Sequence, residues 1–334
     1  MAKILRNIDK IIDTQGNELS VANPVEIPEI PEIPPPVLSF RNKIINGDMR
    51  IVQRDNLPYA GTAGGYTFDR WTLRKSTGNN NPISKLDEQE VLDLGKVSVL
   101  KVENFADSAW IGQRMESSSV LPLANKTVTV SFYAKADTNT SGFRVFLHEK
   151  DFNDTHGYPA FSTDVPITTS WQKFSYSMTI GNLVAVNDNA YLNLGFGQSQ
   201  TNTTVYLTGI QLEEGEVATP FEHRPYGLEL SLCKRYYEVI GTPSATIVDW
   251  PAAMYNSTTV FTHVPFSVEK RTVPTINATF TNIFSNAANR TGSAVTYSRN
   301  VRTSGVNLYA QPTTGATAGH SALVYFHLSA DAEL

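Results

Sequence analysis

The sequence predicts a mainly β protein: a jelly-roll sandwich, then a short helix, then a second β domain, all behind a thin N-terminal lead. Three observations predict it. Apolar residues alternate over many short runs, and turn residues separate those runs at regular intervals, the pattern of a sandwich or jelly roll. Ser, Thr, Asn and Gly are plentiful while charged residues make up only 18% of the 334, a mixture that suits polar-faced sheets better than helices. Near residue 226 the apolar spacing changes from two to about four, and beyond residue 238 it returns to two.

Composition also excludes functions. The formal net charge of −5 leaves no electrostatic footprint for nucleic acid or an anionic membrane, so neither is expected as a partner. The single cysteine, Cys233, permits no intrachain disulfide, and its place on an apolar row reads as a small buried hydrophobe. Assembly in a reducing compartment is therefore expected. The opening MAKILRNIDKII carries Asp9 and lacks an uninterrupted apolar core, so it reads neither as a signal peptide nor as a membrane span.

Residues 1–23 hold an apolar run, Ile4, Leu5, Ile8, Ile11 and Ile12, before a polar turn at Thr14-Gln15-Gly16-Asn17. So short a piece buries too little to order alone, and it reads as a docking peptide that orders on a larger structure. Residues 24–38 contain PVEIPEIPEIPPP. Polyproline II has three residues per turn, so this triplet repeat puts the glutamates on one ridge and Ile27, Ile30 and Ile33 on another. At about 3.1 Å per residue the segment spans roughly 40 Å. Three such rods with isoleucine inward would make a threefold stalk; a stiff linker laid on a neighbouring surface is the alternative.

Residues 39–225 alternate repeatedly, as in Val128-Val130-Phe132, Phe143-Val145-Leu147 and Tyr191-Leu192-Leu194-Phe196. Trp71 and Trp171 fall within strand patterns and read as core. Residues 226–238 read as a helix with two apolar rows, Leu228, Leu232, Tyr236 and Leu230, Cys233, Tyr237, buried as a peg between two β blocks. Residues 239–334 alternate again, with few charges to guard sheet edges, which suits an oligomer. Trp250, before Pro251, reads as a loop-tip residue.

Several stretches carry a resemblance. Gly209-Ile210-Gln211-Leu212-Glu213, Ala218-Thr219-Pro220-Phe221-Glu222, Arg224-Pro225-Tyr226-Gly227 and Leu232-Cys233-Lys234-Arg235-Tyr236-Tyr237 occur in that order. Asn42 to Arg50 with Tyr66 to Trp71 opens the same block, and Ser329 to Leu334 ends the chain. Together these resemble bacteriophage tail-fibre and related virion appendage proteins with a jelly-roll domain similar to carbohydrate-binding modules. The resemblance implies a homotrimer attached through its N-terminus to other virion proteins, displaying β domains to a host-surface glycan. It also implies assembly in the host cytoplasm and residence in the virion. A structural head, neck or baseplate decoration and a polysaccharide depolymerase are the alternatives. In modules of this design acidic residues at the seam of first and last strands often hold calcium, so Asp48 and Glu213 become candidate ligands.

The six histidines show no metal-ligand spacing, and no phosphate loop or nucleophile elbow is present, so no catalytic residue is expected. Sugar recognition needs aromatic faces beside amides and carboxylates. The segment from Asp151 to Phe161 offers Asn153, Asp154, His156, Tyr158 and Phe161 together, and Trp110 is a second candidate.

Overall fold

The computed structural model describes residues 11–12, 15, 18–19, 40–54, 57, 65–74, 81–86, 95, 98–105, 109–150, 159–185, 187, 190–198, 203–241, 250–285, 288–290, 296–311 and 317–334. The chain divides into two units, Met1–Ser39 and Phe40–Leu334. In the first, β1 (Ile11–Ile12) pairs antiparallel with β2 (Glu18–Leu19) across the expected polar turn. Ile11 and Ile12 of the docking run are thus strand residues. Ile4, Leu5, Ile8 and the stalk residues Ile27, Ile30 and Ile33 lie outside the described residues.

The second unit opens with β3 (Gly65–Tyr66), β4 (Thr72–Arg74), β5 (Ile83–Leu86), β6 (Val99–Phe105) and β7 (Trp110–Glu116), followed by a single helical turn, α1 (Ser117–Val120). It continues through β8 (Thr127–Ala136), β9 (Thr140–Lys150), β10 (Pro159–Ile167), β11 (Gln172–Thr179), β12 (Tyr191–Gln198) and β13 (Thr203–Glu214). Two antiparallel sheets result, ordered β10-β9-β12-β7-β4-β3 and β11-β8-β13-β6-β5. The alternation seen in sequence explains them: Val128, Val130, Phe132 and Ala134 of one sheet meet Phe143, Val145, Leu147, Leu192, Leu194 and Phe196 of the other in one buried cluster. Phe196 packs edge-on to Phe132 at 4.9 Å between ring centres and stacks on Phe143 at 5.9 Å. This is the jelly-roll-type sandwich that the sequence predicts.

The opening and closing segments of the sandwich are stitched by side chains. Asn42 donates to the Ile210 carbonyl, and its Oδ1 accepts from the Ile44 and Leu212 amides. Asn46, at φ 57°, donates to the Ile51 and Asp69 carbonyls. A Cβ on Gly47 would stand 2.1 Å from the Ile210 carbonyl oxygen, so only glycine lets this turn lie against β13. Trp71 is fully buried and donates its indole N–H to the Asn46 carbonyl.

The connecting helix is α2 (Tyr226–Lys234), but its buried face differs from the expected apolar rows. Leu228 is 38% and Tyr226 56% exposed, whereas Glu229, Cys233 and Tyr236 are buried. The reason is ionic: the Glu229 carboxylate accepts from the Asn46 amide and from Arg224, which fixes the rotation of the helix. Burial pushes the Cys233 thiol well up, so this cysteine is an unreactive packing group.

Strands β14 (Tyr237–Ile240), β15 (Trp250–Met254), β16 (Val260–Pro265), β17 (Thr275–Ser285), β18 (Ala288–Arg290), β19 (Thr296–Arg302), β20 (Gly305–Ala310) and β21 (Ser321–Asp331) build the last sheet. Its order is β18-β17-β21-β15-β16-β20-β19, with β14 also on β21. A second core, including Val260, Val264, Val306, Leu308, Val324 and Phe326, lies on it. Trp250 begins β15 and packs on Phe326; it is a strand residue, not a loop tip.

The last residues return to the sandwich. Glu333 pairs with fully buried Arg70 and with Arg54 at 3.4 Å, and the Leu334 carbonyl accepts from the Tyr66 hydroxyl at 2.7 Å and from Arg114. Arg235 and the Tyr236 hydroxyl meet Glu116 at 3.2 and 3.0 Å, joining the end of α2 to β7.

Candidate functional site

One face of the six-stranded sheet packs into the core, and strand alternation turns the other outward. Cross-strand partners order that outer face in rungs. The first is Arg74, Trp110, Gly197, Arg144 and Asp164; the second is Thr72, Gly112, Gly195, Phe146 and Ser162. The third is Arg114, Asn193 and His148, and the fourth is Glu116, Tyr191 and Lys150.

Aromatic rings occupy the first two rungs. A Cβ on Gly195 would come within 2.2 Å of the Phe146 ring, so the glycine is what lets that ring lie flat on the neighbouring strand. Trp110 meets Phe146 edge-on at 5.8 Å, and the Arg74 guanidinium stands 5.9 Å from the Trp110 ring centre. Both rings are half-buried, leaving apolar surface beside polar neighbours.

The third rung is chemically unusual. Asn193 is 2% exposed, and neither its Oδ1 nor its Nδ2 has a hydrogen-bond partner. His148 Nε2 and Arg114 Nε, on the two flanking strands, are also buried without one. Leaving a buried polar group unpaired costs about 1–3 kcal/mol, and here three such side chains stand on adjacent strands. Asn193 sits directly beneath the aromatic pair: its Oδ1 lies 3.1 Å from where a Gly112 Cβ would be. Arg114 is aimed by its remaining contacts, donating Nη1 to the Leu334 carbonyl and lying 4.9 Å from the Tyr191 ring centre.

Trp110, a candidate from the sequence, lies in the first rung of this outer face. Phe161 faces the other way, packing on the core and on Tyr176 at 6.4 Å, because its place opposite Leu147 fixes it to the inner face. Asn153, Asp154, His156 and Tyr158 lie outside the described residues. Trp171 is half-buried just before β11, 6.5 Å from Tyr206 and 5.3 Å from the Lys135 ammonium; it is not a core residue. Phe146, Asn193, His148 and Arg114 were missed. Strand parity already put them opposite Val145, Leu147 and Leu192, and a lone amide or glycine inside an apolar strand was the available signal.

The two candidate calcium ligands, Glu213 and Asp48, both lie beside nitrogen donors. Glu213 already accepts from Gln211 Nε2 at 2.8 Å, the Thr219 amide at 2.9 Å and the Thr219 hydroxyl at 2.6 Å. Asp48 pairs with Arg50 at 3.3 Å. N–H and O–H donors thus hold the Glu213 carboxylate in the closing seam, and Asp48 faces the Arg50 guanidinium. Among the described residues no group of three or more His, Cys, Asp and Glu side chains gathers as metal ligands would. No helix among them is long and apolar enough to cross a membrane. A separate open pocket of about 460 Å³, lined by Trp250, Pro251, Phe261 and His263 among others, lies on the last sheet.

No protein-family model matches the chain, and no curated protein matches it. Solved structures that align with it include a CBM4 module, at 18% identity and a TM-score of 0.35, covering 51% of this chain and 98% of that one. A putative sugar binding protein from Bacteroides thetaiotaomicron aligns at 14% identity and a TM-score of 0.34, covering 52% and 100%. The enzymatically active domain of tailspike protein 4 from bacteriophage CBA120 aligns at 12% identity and 0.35, covering 52% of this chain and 21% of that one. At such scores none of them decides what this chain does, and the sandwich stands on its own ladders.

Proposed function

We propose that this chain is a glycan-recognition protein of a virion appendage, gripping a host-surface saccharide on the outer face of its six-stranded sheet. The observation that supports this reading is the juxtaposition of the half-buried Trp110 and Phe146 rings with the exposed guanidinium of Arg74. A sugar ring offers C–H bonds to an aromatic face and hydroxyl oxygens to an N–H donor, and these three side chains supply both. Binding without cleavage is the reading, since the outer-face rungs bring together no free pair of carboxyls: Glu116 is bonded to Arg235 and Tyr236, and Asp164 to Arg144.

The virion setting rests on the tail-fibre resemblance of the segments around Asn42 to Arg50 and Gly209 to Tyr237. In that setting the N-terminal peptide docks on other virion proteins and the triplet-repeat stalk makes a homotrimer. Three heads multiply weak single-site affinity through effective concentration. The test is a glycan array read with the full-length protein and with Trp110→Ala and Phe146→Ala. The expected result is binding to at least one surface glycan that each variant weakens at least tenfold. Unchanged binding by both variants, or release of oligosaccharide from the bound polymer, would displace the proposal. An antibody against the first twenty residues, masked in intact particles and exposed on free protein, tests the docking role.

A further inference from the structure

The open cleft on the last sheet starts from a proline inside that sheet. Strands β15 and β16 pair only at Ala253–Phe261 and Met254–Val260. The next β15 residue turned towards β16 is Pro251, which has no N–H to donate, so the ladder stops there. Side chains take over from the missing ladder bonds. The Thr262 hydroxyl donates to the Pro251 carbonyl at 2.7 Å, and the Trp250 indole N–H to the His263 carbonyl at 3.2 Å. The space left between the parted strands is the pocket of about 460 Å³, lined by Trp250, Pro251, Ala253, Phe261 and His263 among others. That volume lies in the range of small-molecule sites.

The walls are held in place and open to solvent. Trp250 is fixed by its indole bond and by edge-on packing against Phe326 at 5.7 Å, and Phe261 packs on Tyr309 at 5.1 Å. Both rings are half-buried, and Pro251, Ala253 and His263 are exposed. Every side-chain donor of the lining is already given to an oxygen: Trp250 Nε1, Thr262 Oγ1 and His263 Nδ1, the last to Asn307 Oδ1 at 2.8 Å. With its proton on Nδ1, the neutral His263 ring keeps Nε2 as an acceptor. We infer that this cleft takes the acetamido group of an N-acetylated amino sugar. The methyl and ring C–H bonds lie against Trp250, Pro251 and Phe261, and the amide N–H donates to His263 Nε2. A plain hexose turns hydroxyl oxygens to the same walls and finds no side-chain donor for them, which disfavours it. This site is separate from the outer face of the sandwich and does not rest on the reading given above.

The test uses the full-length protein and saturation-transfer NMR, which detects weak binding and maps the ligand protons that touch protein. The probes are tri-N-acetylchitotriose, an N-acetylgalactosamine trisaccharide, their de-N-acetylated forms and cellotriose. The expected result is that at least one acetamido sugar binds and that its methyl protons receive the strongest transfer. Its de-N-acetylated form and cellotriose should each bind about tenfold more weakly or worse. Ala253→Leu, which fills the cleft, should abolish the transfer. His263→Phe, which keeps a ring and removes Nε2, should weaken binding about fivefold. Both positions are exposed, so neither change disturbs the core. Equal binding with and without the acetyl group, or no binding by either acetamido probe, overturns the acetamido inference. Binding that Ala253→Leu leaves intact, or that Trp110→Ala removes instead, places the sugar elsewhere and overturns the site.

Discussion

The seam that closes the sandwich and the third rung of its outer face are both rich in buried polar side chains, yet they are built on opposite principles. At the seam, Asn42, Asn46, Gln211, Glu213 and Arg224 each make two or more side-chain hydrogen bonds, those of Asn42 and Arg224 tying the two ends of the sandwich together, although Arg224 Nε is left without one. On the rung, Asn193 makes none. Satisfied buried networks specify a fold, whereas an unsatisfied buried group costs free energy that its removal recovers.

The sharpest way to break this contrast is Arg224→Ala. It strands the buried Glu229 carboxylate and the Asn42 and Ile44 carbonyls, and a loss of about 3–5 kcal/mol in urea unfolding is expected. A loss below about 1 kcal/mol would show that the seam is not what holds the sandwich closed.

The Tyr66–Leu334 contact beside the rung belongs with the seam, and pH tests it. Burial pushes the Tyr66 hydroxyl from an ordinary 10 up to about 12. The folded protein thus holds this proton more tightly than the unfolded chain. The stabilisation is complete below pH 10 and disappears as pH rises towards 12, a drop of about 3 kcal/mol. Tyr66→Phe should flatten that part of the stability profile, and an unchanged alkaline drop would place its origin in other groups.

Gly47→Ala sets a Cβ against the Ile210 carbonyl oxygen, and a loss of about 1–3 kcal/mol measured by calorimetry follows. Asn193→Ala should do the reverse and leave stability unchanged or raise it by about 1 kcal/mol, because it deletes an unpaired amide. A destabilised Asn193→Ala protein would erase the distinction between the two regions.

How much was legible in the sequence follows the same division. Strand alternation gave the inward faces of β8, β9 and β12, since apolar residues two apart can be buried only on one side of a sheet. It misled at α2, where Leu228 stays exposed and Glu229 is buried. Glutamate is assigned to solvent unless a donor waits for it, and here Arg224 and the Asn46 amide do. It misled again at Phe161, an aromatic in an inviting polar segment whose register with β9 turns it into the core.

By itself the sequence determined a β sandwich, a connecting helix and a second sheet, because burial periodicity is a local property. Only the tertiary structure decided which polar groups are partnered. Arg114, Asn193 and His148 are separated by dozens of residues, and only the pairing of β7, β12 and β9 sets them side by side. A hydrogen bond left unmade is a property of that assembled neighbourhood, and no stretch of chain contains it.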